Sequence, residues 1–171
     1  MYVEGNPPRL AAVIVNGSKD MRYTDYAPPT SLMKIFVQRS DAQIMGLELL
    51  ALALGLCTFS SVCRNRKVRT FSDNCSAEAS VVRGSAKTWD HNAIVHAIWV
   101  KAAEISAHLH VERVPTEVSN SRARGLWCVF MCASTLTGQY CRSPIAIAMR
   151  PFETAGSERG ATSVRRQVLE T

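Results

Sequence analysis

The stretch KVRTFSDNCSAEASVVRG, residues 67–84, changes from one structural pattern to another within a few residues. Its first part alternates apolar and polar side chains and runs to Asp73, which is typical of a β-strand. The part from about Ser76 to Arg83 is typical of a short helix. In sheets whose strands alternate with helices, functional side chains gather at the carboxyl ends of the strands. Asp73, at the end of its own strand, is therefore the first candidate for a functional residue.

The rest of the chain continues this alternation of strands and helices. Asn16-Gly17 is a tight-turn pair between two β-rich runs, and the long alanine- and leucine-rich run after Asp41 favours a helix. Strands that are separated by helices usually pair in parallel. We therefore expect an α/β fold with a mixed sheet flanked by helices. The predicted elements are a hairpin of residues 9–15 and 21–26, a helix from an N-cap at Asp41 to residue 63, a strand at 67–73, helices at 76–83 and 89–108, and a strand at 109–115.

Composition limits the classes of protein that fit. With 171 residues, of which 47% are hydrophobic, one compact core is expected. The formal net charge of +6 favours an acidic partner such as nucleic acid, although evenly scattered arginine and lysine would do no more than keep the protein in solution. The six cysteines form no Cys-x-x-Cys pair, and residues 1–16 lack the pattern of a secretion signal. We expect an intracellular, reduced protein.

One alternative is a membrane-spanning helix. Residues 42–60 contain no lysine or arginine and are about as long as a bilayer span. Glu48 in the middle would be costly in lipid, however, and a helix buried on a sheet would be equally apolar. We expect no membrane association.

Glu48 is the only charged residue of this apolar helix. A buried carboxylate carries a desolvation cost unless a positive group meets it. If the helix crosses the strand that ends at Asp73, the two carboxylates can converge as ligands of Mg²⁺ or Mn²⁺. Two structural interpretations stay open: Glu48 lies at the helix margin or pairs with an arginine such as Arg69, and Asp73 caps the following helix.

Four segments in order resemble the ribonuclease H domain of retroelement polyproteins, particularly fungal ones. They are QIMGLELLALALG, TFSDNCSAEASVVRG, WDHNAIVHAIW and LHVERVPT, and the resemblance covers about residues 9–117. It implies a ribonuclease H fold that cuts the RNA strand of an RNA–DNA hybrid with two Mg²⁺ ions held by four carboxylates. It also implies that Glu48 and Asp73 are metal ligands and catalytic residues.

The other two carboxylates of the family pattern are not matched. The chain begins near the point where the family's first strand carries an aspartate, so we expect that strand to be missing or truncated, and Glu4 is a poor match for the aspartate. Arg122 stands about where the family's last aspartate is expected. Two cations close together repel unless several carboxylates neutralise them. The resemblance thus implies weak or absent hydrolysis, and a catalytically dead module that binds nucleic acid or another partner is the alternative.

The resemblance ends near residue 117, and the composition changes there too, since the remaining chain has arginine without lysine and glutamate without aspartate. We therefore divide the chain into a ribonuclease H-like domain, residues 1–117, and a divergent tail, residues 118–171. If the tail is structured, its apolar runs LWCVFMCA and IAIAM, at 126–133 and 145–149, are the expected elements. His91 is assigned to a helix start rather than to catalysis. Trp89 is assigned to core packing, with stacking on a nucleotide as the alternative.

Overall fold

A computed structural model describes residues 9–16, 20–37, 40, 43–114, 126–134 and 165–168. Strands and helices alternate in these ranges as the sequence predicts. The strands are β1 (Arg9–Asn16), β2 (Asp20–Tyr26), β3 (Lys67–Ser72), β4 (His108–Arg113), β5 (Leu126–Ser134) and β6 (Arg165–Val168). The helices are α1 (Thr30–Met33), α2 (Ile44–Thr58), α3 (Ser60–Cys63), α4 (Cys75–Arg83) and α5 (Trp89–Glu104). The expected α/β class is confirmed.

The six strands form one mixed sheet in the order β4-β3-β5-β1-β2-β6. Strands β1 and β2 are the predicted antiparallel hairpin, with Asn16 opposite Asp20. Strands β3 and β4 are parallel, as expected for strands joined through helices α4 and α5. Their register pairs Lys67 with His108 and Ser72 with Arg113, so the carboxyl ends of both strands lie at the same edge of the sheet.

Strand β5, from the predicted tail, lies at the centre of this sheet. It is parallel to β1 and antiparallel to β3, with Phe130 opposite Phe71. Among the described strands, the backbone pairing between the two halves of the sheet, β4-β3 and β1-β2-β6, therefore runs through β5. The division at residue 117 stays a prediction, but this part of the tail belongs to the sheet. The second apolar run, 145–149, and any strand before β1 lie outside the described residues.

Helix α2 packs closely on the centre of the sheet. A methyl group added at Gly55 would lie 2.9 Å from the Cβ of Ala12 on β1 and 2.5 Å from the Sδ of Met131 on β5, so the helix can approach this closely only because residue 55 has no side chain. Met131 is fully buried, and Leu52 and Leu56 belong to the same core. The sequence of α2 is apolar all round because the sheet and α5 cover it from two sides.

The long predicted helix differs from the observed one at both ends. Helix α2 begins at Ile44 after Gln43, which takes a left-handed conformation (φ 64°) and provides no side-chain cap. The prediction that Asp41 is the N-cap is therefore wrong. At the other end the helix is interrupted at Phe59 (ψ 22°), and α3 follows as a single turn. In the described part of the chain, no helix has both the length and the apolar character that a membrane span requires.

Candidate functional site

Glu48 is buried where helix α2 crosses strand β3. Only 4% of the residue is exposed, and its Oε2 atom accepts a 2.5 Å hydrogen bond from the hydroxyl of Ser72. Side chains alternate along a strand, so Val68, Thr70 and Ser72 all point towards the helices and all three are buried. Helix α2 thus crosses the strand that ends at Asp73, which is the condition under which the two carboxylates could converge. The interpretation that Glu48 lies at an exposed helix margin is wrong.

Asp73 follows directly after Ser72, where β3 ends. The Oδ2 atom of Asp73 is buried and has no hydrogen-bond partner among the described residues. The cap of the next helix is the neighbouring Asn74, whose side-chain oxygen accepts hydrogen bonds from the backbone N–H groups of Ser76 (2.9 Å) and Ala77 (3.2 Å). The interpretation of Asp73 as the helix cap is therefore wrong. Asn74 caps α4, so the helix does not require the carboxylate of Asp73.

Ser72 connects the two candidate residues. Its hydroxyl donates to Glu48 and accepts a 3.2 Å hydrogen bond from the backbone N–H of Asn74, so the turn that contains Asp73 is tied to the buried carboxylate. The backbone carbonyl of Ser72 also accepts from the N–H of Val114 at 2.9 Å. The end of β3 is thus held on two sides, by α2 and by the segment after β4.

Arg69 forms its described ion pair on the other face of the sheet. Strand alternation directs Arg69 away from Ser72, and its guanidinium makes two hydrogen bonds to Glu112 on β4, of 2.7 and 2.5 Å. These bonds hold the pKa of Glu112 below its ordinary value, and they outweigh the opposite effect of partial burial. The described partner of Arg69 is therefore Glu112, in place of the Glu48 pairing considered from the sequence.

The space beside Glu48 is small. A cavity of about 10 Å³ lies between α2, β3, α4 and β4, and Glu48, Ser72, Thr70 and Leu52 contribute to its lining. A volume of this order accommodates roughly one water molecule. Within the described ranges, no group of three or more His, Cys, Asp and Glu side chains is arranged to hold a metal ion.

These residues do not fit a pair of metal ions. Mg²⁺ requires about six oxygen ligands and usually keeps several waters. Glu48 and Asp73 offer two carboxylates, and Ser72 already donates to one of them. Strand β5, which adjoins β3, has the sequence LWCVFMCAS and brings no further carboxylate. Glu4, Arg122 and the glutamates of the tail at 117, 153, 158 and 170 lie outside the described residues.

His91 and Asp90 form a separate buried cluster at the start of α5. Asp90 accepts a 3.1 Å hydrogen bond from the backbone N–H of Val37. The His91 ring packs edge-on to Phe36 with the centroids 6.2 Å apart, and its Nε2 atom would lie 3.0 Å from a methyl group at Gly46. This arrangement agrees with the assignment of His91 to a helix start, since both side chains hold the 34–37 segment and α2 against α5.

Trp89 is not a core residue, contrary to the prediction. It is 63% exposed, whereas Trp99 on the same helix donates a 2.9 Å hydrogen bond to the carbonyl of Val81, and Ile98 is fully buried. Trp89 is the first residue of α5 and is not among the residues of this helix that are buried.

The hydrogen bond from Ser72 to Glu48 was not predicted. Serine is common in strands and turns, and the two residues are 24 positions apart, so only the inward alternation of residues 68, 70 and 72 could have indicated the contact. Asn74 carried a clearer signal, because asparagine before an alanine-rich run is a preferred N-cap.

Comparison with known proteins identified no relative: no family model matches the chain, and neither does any curated protein or any solved structure.

Proposed function

We propose that the chain is a degenerate ribonuclease H-like domain of the retroelement type, which binds RNA–DNA hybrids or other nucleic acid and hydrolyses the RNA strand weakly or not at all. The observation that carries the proposal is the approach of α2 to the end of β3. It brings Glu48 into contact with Ser72, the residue before Asp73. Glu48 and Asp73 are the two positions at which the sequence matches the family's metal ligands.

The charge of the molecule supports nucleic-acid binding. The chain has a formal net charge of +6, and a basic corner of Arg64, Arg66 and Lys67 leads into β3. Arg64 is exposed, and Arg66 donates a 2.7 Å hydrogen bond to the side chain of Asn16, which holds its guanidinium in one position. Contacts of such residues with phosphates give binding that weakens steeply as salt is added.

Weak or absent hydrolysis follows from the ligand count. In two-metal catalysis the ions stand close together and clamp the attacking and leaving oxygens. Two carboxylates, one of them buried and bound to Ser72, neutralise too little charge for two divalent ions. The ancestral function is thus reduced to binding, with any remaining hydrolysis dependent on Asp73 and on Mg²⁺ or Mn²⁺.

The first experiment measures cleavage of a labelled RNA strand in an RNA–DNA hybrid, with Mg²⁺ and separately with Mn²⁺. Wild-type protein is compared with Asp73→Asn and with the control Asp20→Asn, which removes a carboxylate at the start of β2 that pairs with Arg22 at 2.9 Å. We expect slow or undetectable cleavage, and any cleavage should disappear in Asp73→Asn and persist in Asp20→Asn. Rapid cleavage by the wild-type protein would overturn the degenerate site, and cleavage that survives Asp73→Asn would overturn the assigned metal ligand.

Binding is measured on the same proteins by fluorescence anisotropy with labelled hybrid over a range of salt concentrations. We expect affinity that falls with salt and that is at least as high in Asp73→Asn as in the wild type, since removing a carboxylate removes no attraction to phosphate. Charge-reducing variants of the basic corner, Arg64→Gln with Lys67→Gln, should lower both the affinity and its salt dependence. Absence of salt-sensitive binding by folded wild-type protein would exclude the proposed function.

A further inference from the structure

Helix α5 has an exposed apolar face. The helix packs against α2 through buried residues such as Val95 and Ile98, and its opposite side is open to solvent. The exposed positions from the start of the helix to residue 100 are Trp89, Asn92, Ala93, His96, Ala97 and Val100. None of them is Asp, Glu, Lys or Arg, and the two large apolar side chains at the ends, Trp89 and Val100, are 63% and 53% exposed.

The exposed apolar surface continues beside the start of α5. The hydrogen bond from the N–H of Val37 to Asp90 fixes the 34–37 segment next to Trp89. Ile35 and Val37 in that segment are 52% and 45% exposed. Four of the six exposed large hydrophobic residues in the described part of the chain therefore lie on α5 or on the segment that is hydrogen-bonded to its start. Clustered exposed apolar residues mark interaction sites, whereas single ones do not.

The lack of charge on this face decides between classes of partner. A phosphate backbone or an acidic protein would require lysine or arginine among the contact residues. The α5 face offers none between Trp89 and Val100, although the chain as a whole is basic. Two copies of a protein with a net charge of +6 repel each other over most of their surfaces, and this face, which carries no Asp, Glu, Lys or Arg, is where they can meet.

The order of side chains along the face is suited to a second copy. Residues 89, 93, 97 and 100 lie along one stripe of a helix, with a large side chain at each end and two alanines in the middle. A two-fold axis between Ala93 and Ala97 would bring Trp89 of one copy against Val100 of the other at both ends. Small residues at the crossing point let two helices approach closely. Such a self-complementary surface is what a symmetric dimer requires.

We propose that the chain forms a symmetric dimer through antiparallel pairing of the two α5 helices, with Trp89 packed on Val100 of the partner copy at each end. This pairing is independent of the candidate metal ligands, since Glu48 faces β3 from α2 and Asp73 follows β3, whereas the paired positions of α5 are on its exposed side. Trp89, the largest side chain on the face, contributes most of the buried apolar area.

The test measures the mass of the full chain by analytical ultracentrifugation over a range of concentrations. We expect a monomer–dimer equilibrium for the wild type. Ala97→Arg, which inserts a charge at the centre of the face, should raise the dissociation constant by about tenfold or more. The matched control Ala79→Arg changes an exposed alanine of α4 in the same way and should leave the equilibrium unchanged. A wild type that stays monomeric at high concentration, or a dimer that survives Ala97→Arg, would overturn the proposal.

A mixing experiment tests the antiparallel register. In the proposed dimer, residue 93 of one copy faces residue 97 of the other, so Ala93→Glu and Ala97→Arg each weaken the homodimer but complement each other. An equimolar mixture of the two variants should recover the wild-type sedimentation coefficient, and circular dichroism establishes that each variant is folded. If the folded variants are both monomeric and the mixture also stays monomeric, the antiparallel pairing is excluded. Hybrid binding and cleavage, measured on Ala97→Arg, report separately on the proposed function.

Discussion

The ion pair of Glu112 on β4 with Arg69 on β3 makes the stability of the fold depend on pH. The hydrogen bonds from Arg69 lower the pKa of Glu112 in the folded chain, and the nearby charge of His110 acts in the same direction. A carboxyl group with a lowered folded-state pKa stabilises the fold at pH values above its unfolded-state pKa, which is about 4.3 for glutamate. This stabilisation is lost as the pH falls through the folded-state pKa.

We therefore expect the free energy of unfolding to fall below about pH 4.3 partly because of Glu112. In Glu112→Gln this part of the decrease should be absent, and at neutral pH the variant should be less stable by about 0.5–1 kcal/mol, as is usual for a half-exposed ion pair. Urea unfolding of both proteins at a series of pH values from about 3 to about 7 gives the comparison. Parallel pH curves for the two proteins would contradict the assignment.

Only part of the candidate site and its surroundings could be predicted from the sequence. Glu48 could be identified because a lone carboxylate in an apolar helix is unusual, but the sequence did not decide between burial against β3 and a place at the helix margin. Trp89 was misassigned because helical spacing alone does not reveal where the covering layer ends. The contact of Ser72 with Glu48 depends on the angle at which a helix crosses a strand, and sequence patterns carry little information about that angle.

At the scale of elements, helix α4 depends on its cap. Asn74 satisfies two backbone N–H groups of the first turn, and Gly84 ends the helix in a left-handed conformation (φ 72°). Asn74→Ala should destabilise the protein by about 1 kcal/mol, whereas Asn74→Ser or Asn74→Asp should retain most of the stability because these residues also cap helices. Chemical unfolding measures all three. Equal losses in the alanine and aspartate variants would show that Asn74 stabilises the turn by some other contact.

The boundaries of the elements were predictable to within a few residues where a local signal exists. The hairpin and the strands β3 and β4 agree with the alternation of apolar residues, and α4 agrees with its cap and its terminal glycine. The start of α2 was predicted too early, because Asp41 is a good capping residue by type but the chain enters the helix through the left-handed Gln43. The break at Phe59 has no glycine or proline to announce it, so the predicted helix was too long.

At the scale of the whole molecule, the stability of the sheet depends on β5. Met131 is fully buried against Gly55 of α2, in the middle of the sheet. Met131→Ala should therefore cost about 2–5 kcal/mol of stability, as for other large-to-small changes in a core. The exposed Val82→Ala on α4 serves as the control and should have little effect. If Met131→Ala were as mild as the control, residues 126–134 would have to lie outside the core.

The position of β5 could not be read from the sequence. Its composition predicts an apolar strand, but pairing with β1 and β3 joins residues that are more than 50 positions apart, and nothing local specifies which strands it separates. Nor does a pattern of apolar residues distinguish a central strand from an edge strand of a separate unit. The fold class was therefore predictable, whereas the strand order was not.

The central position of β5 also has a consequence for the chain during its synthesis. Strand β1 leaves the ribosome long before β5 is synthesised, and at typical rates of about 5–20 residues per second the interval is roughly 6–25 s. During that time the facing edges of β1 and β3 lack the strand that separates them in the finished sheet. Unpaired strand edges invite association with other chains. The newly made chain therefore has a period of exposure to aggregation that ends only when residues 126–134 reach the middle of the sheet.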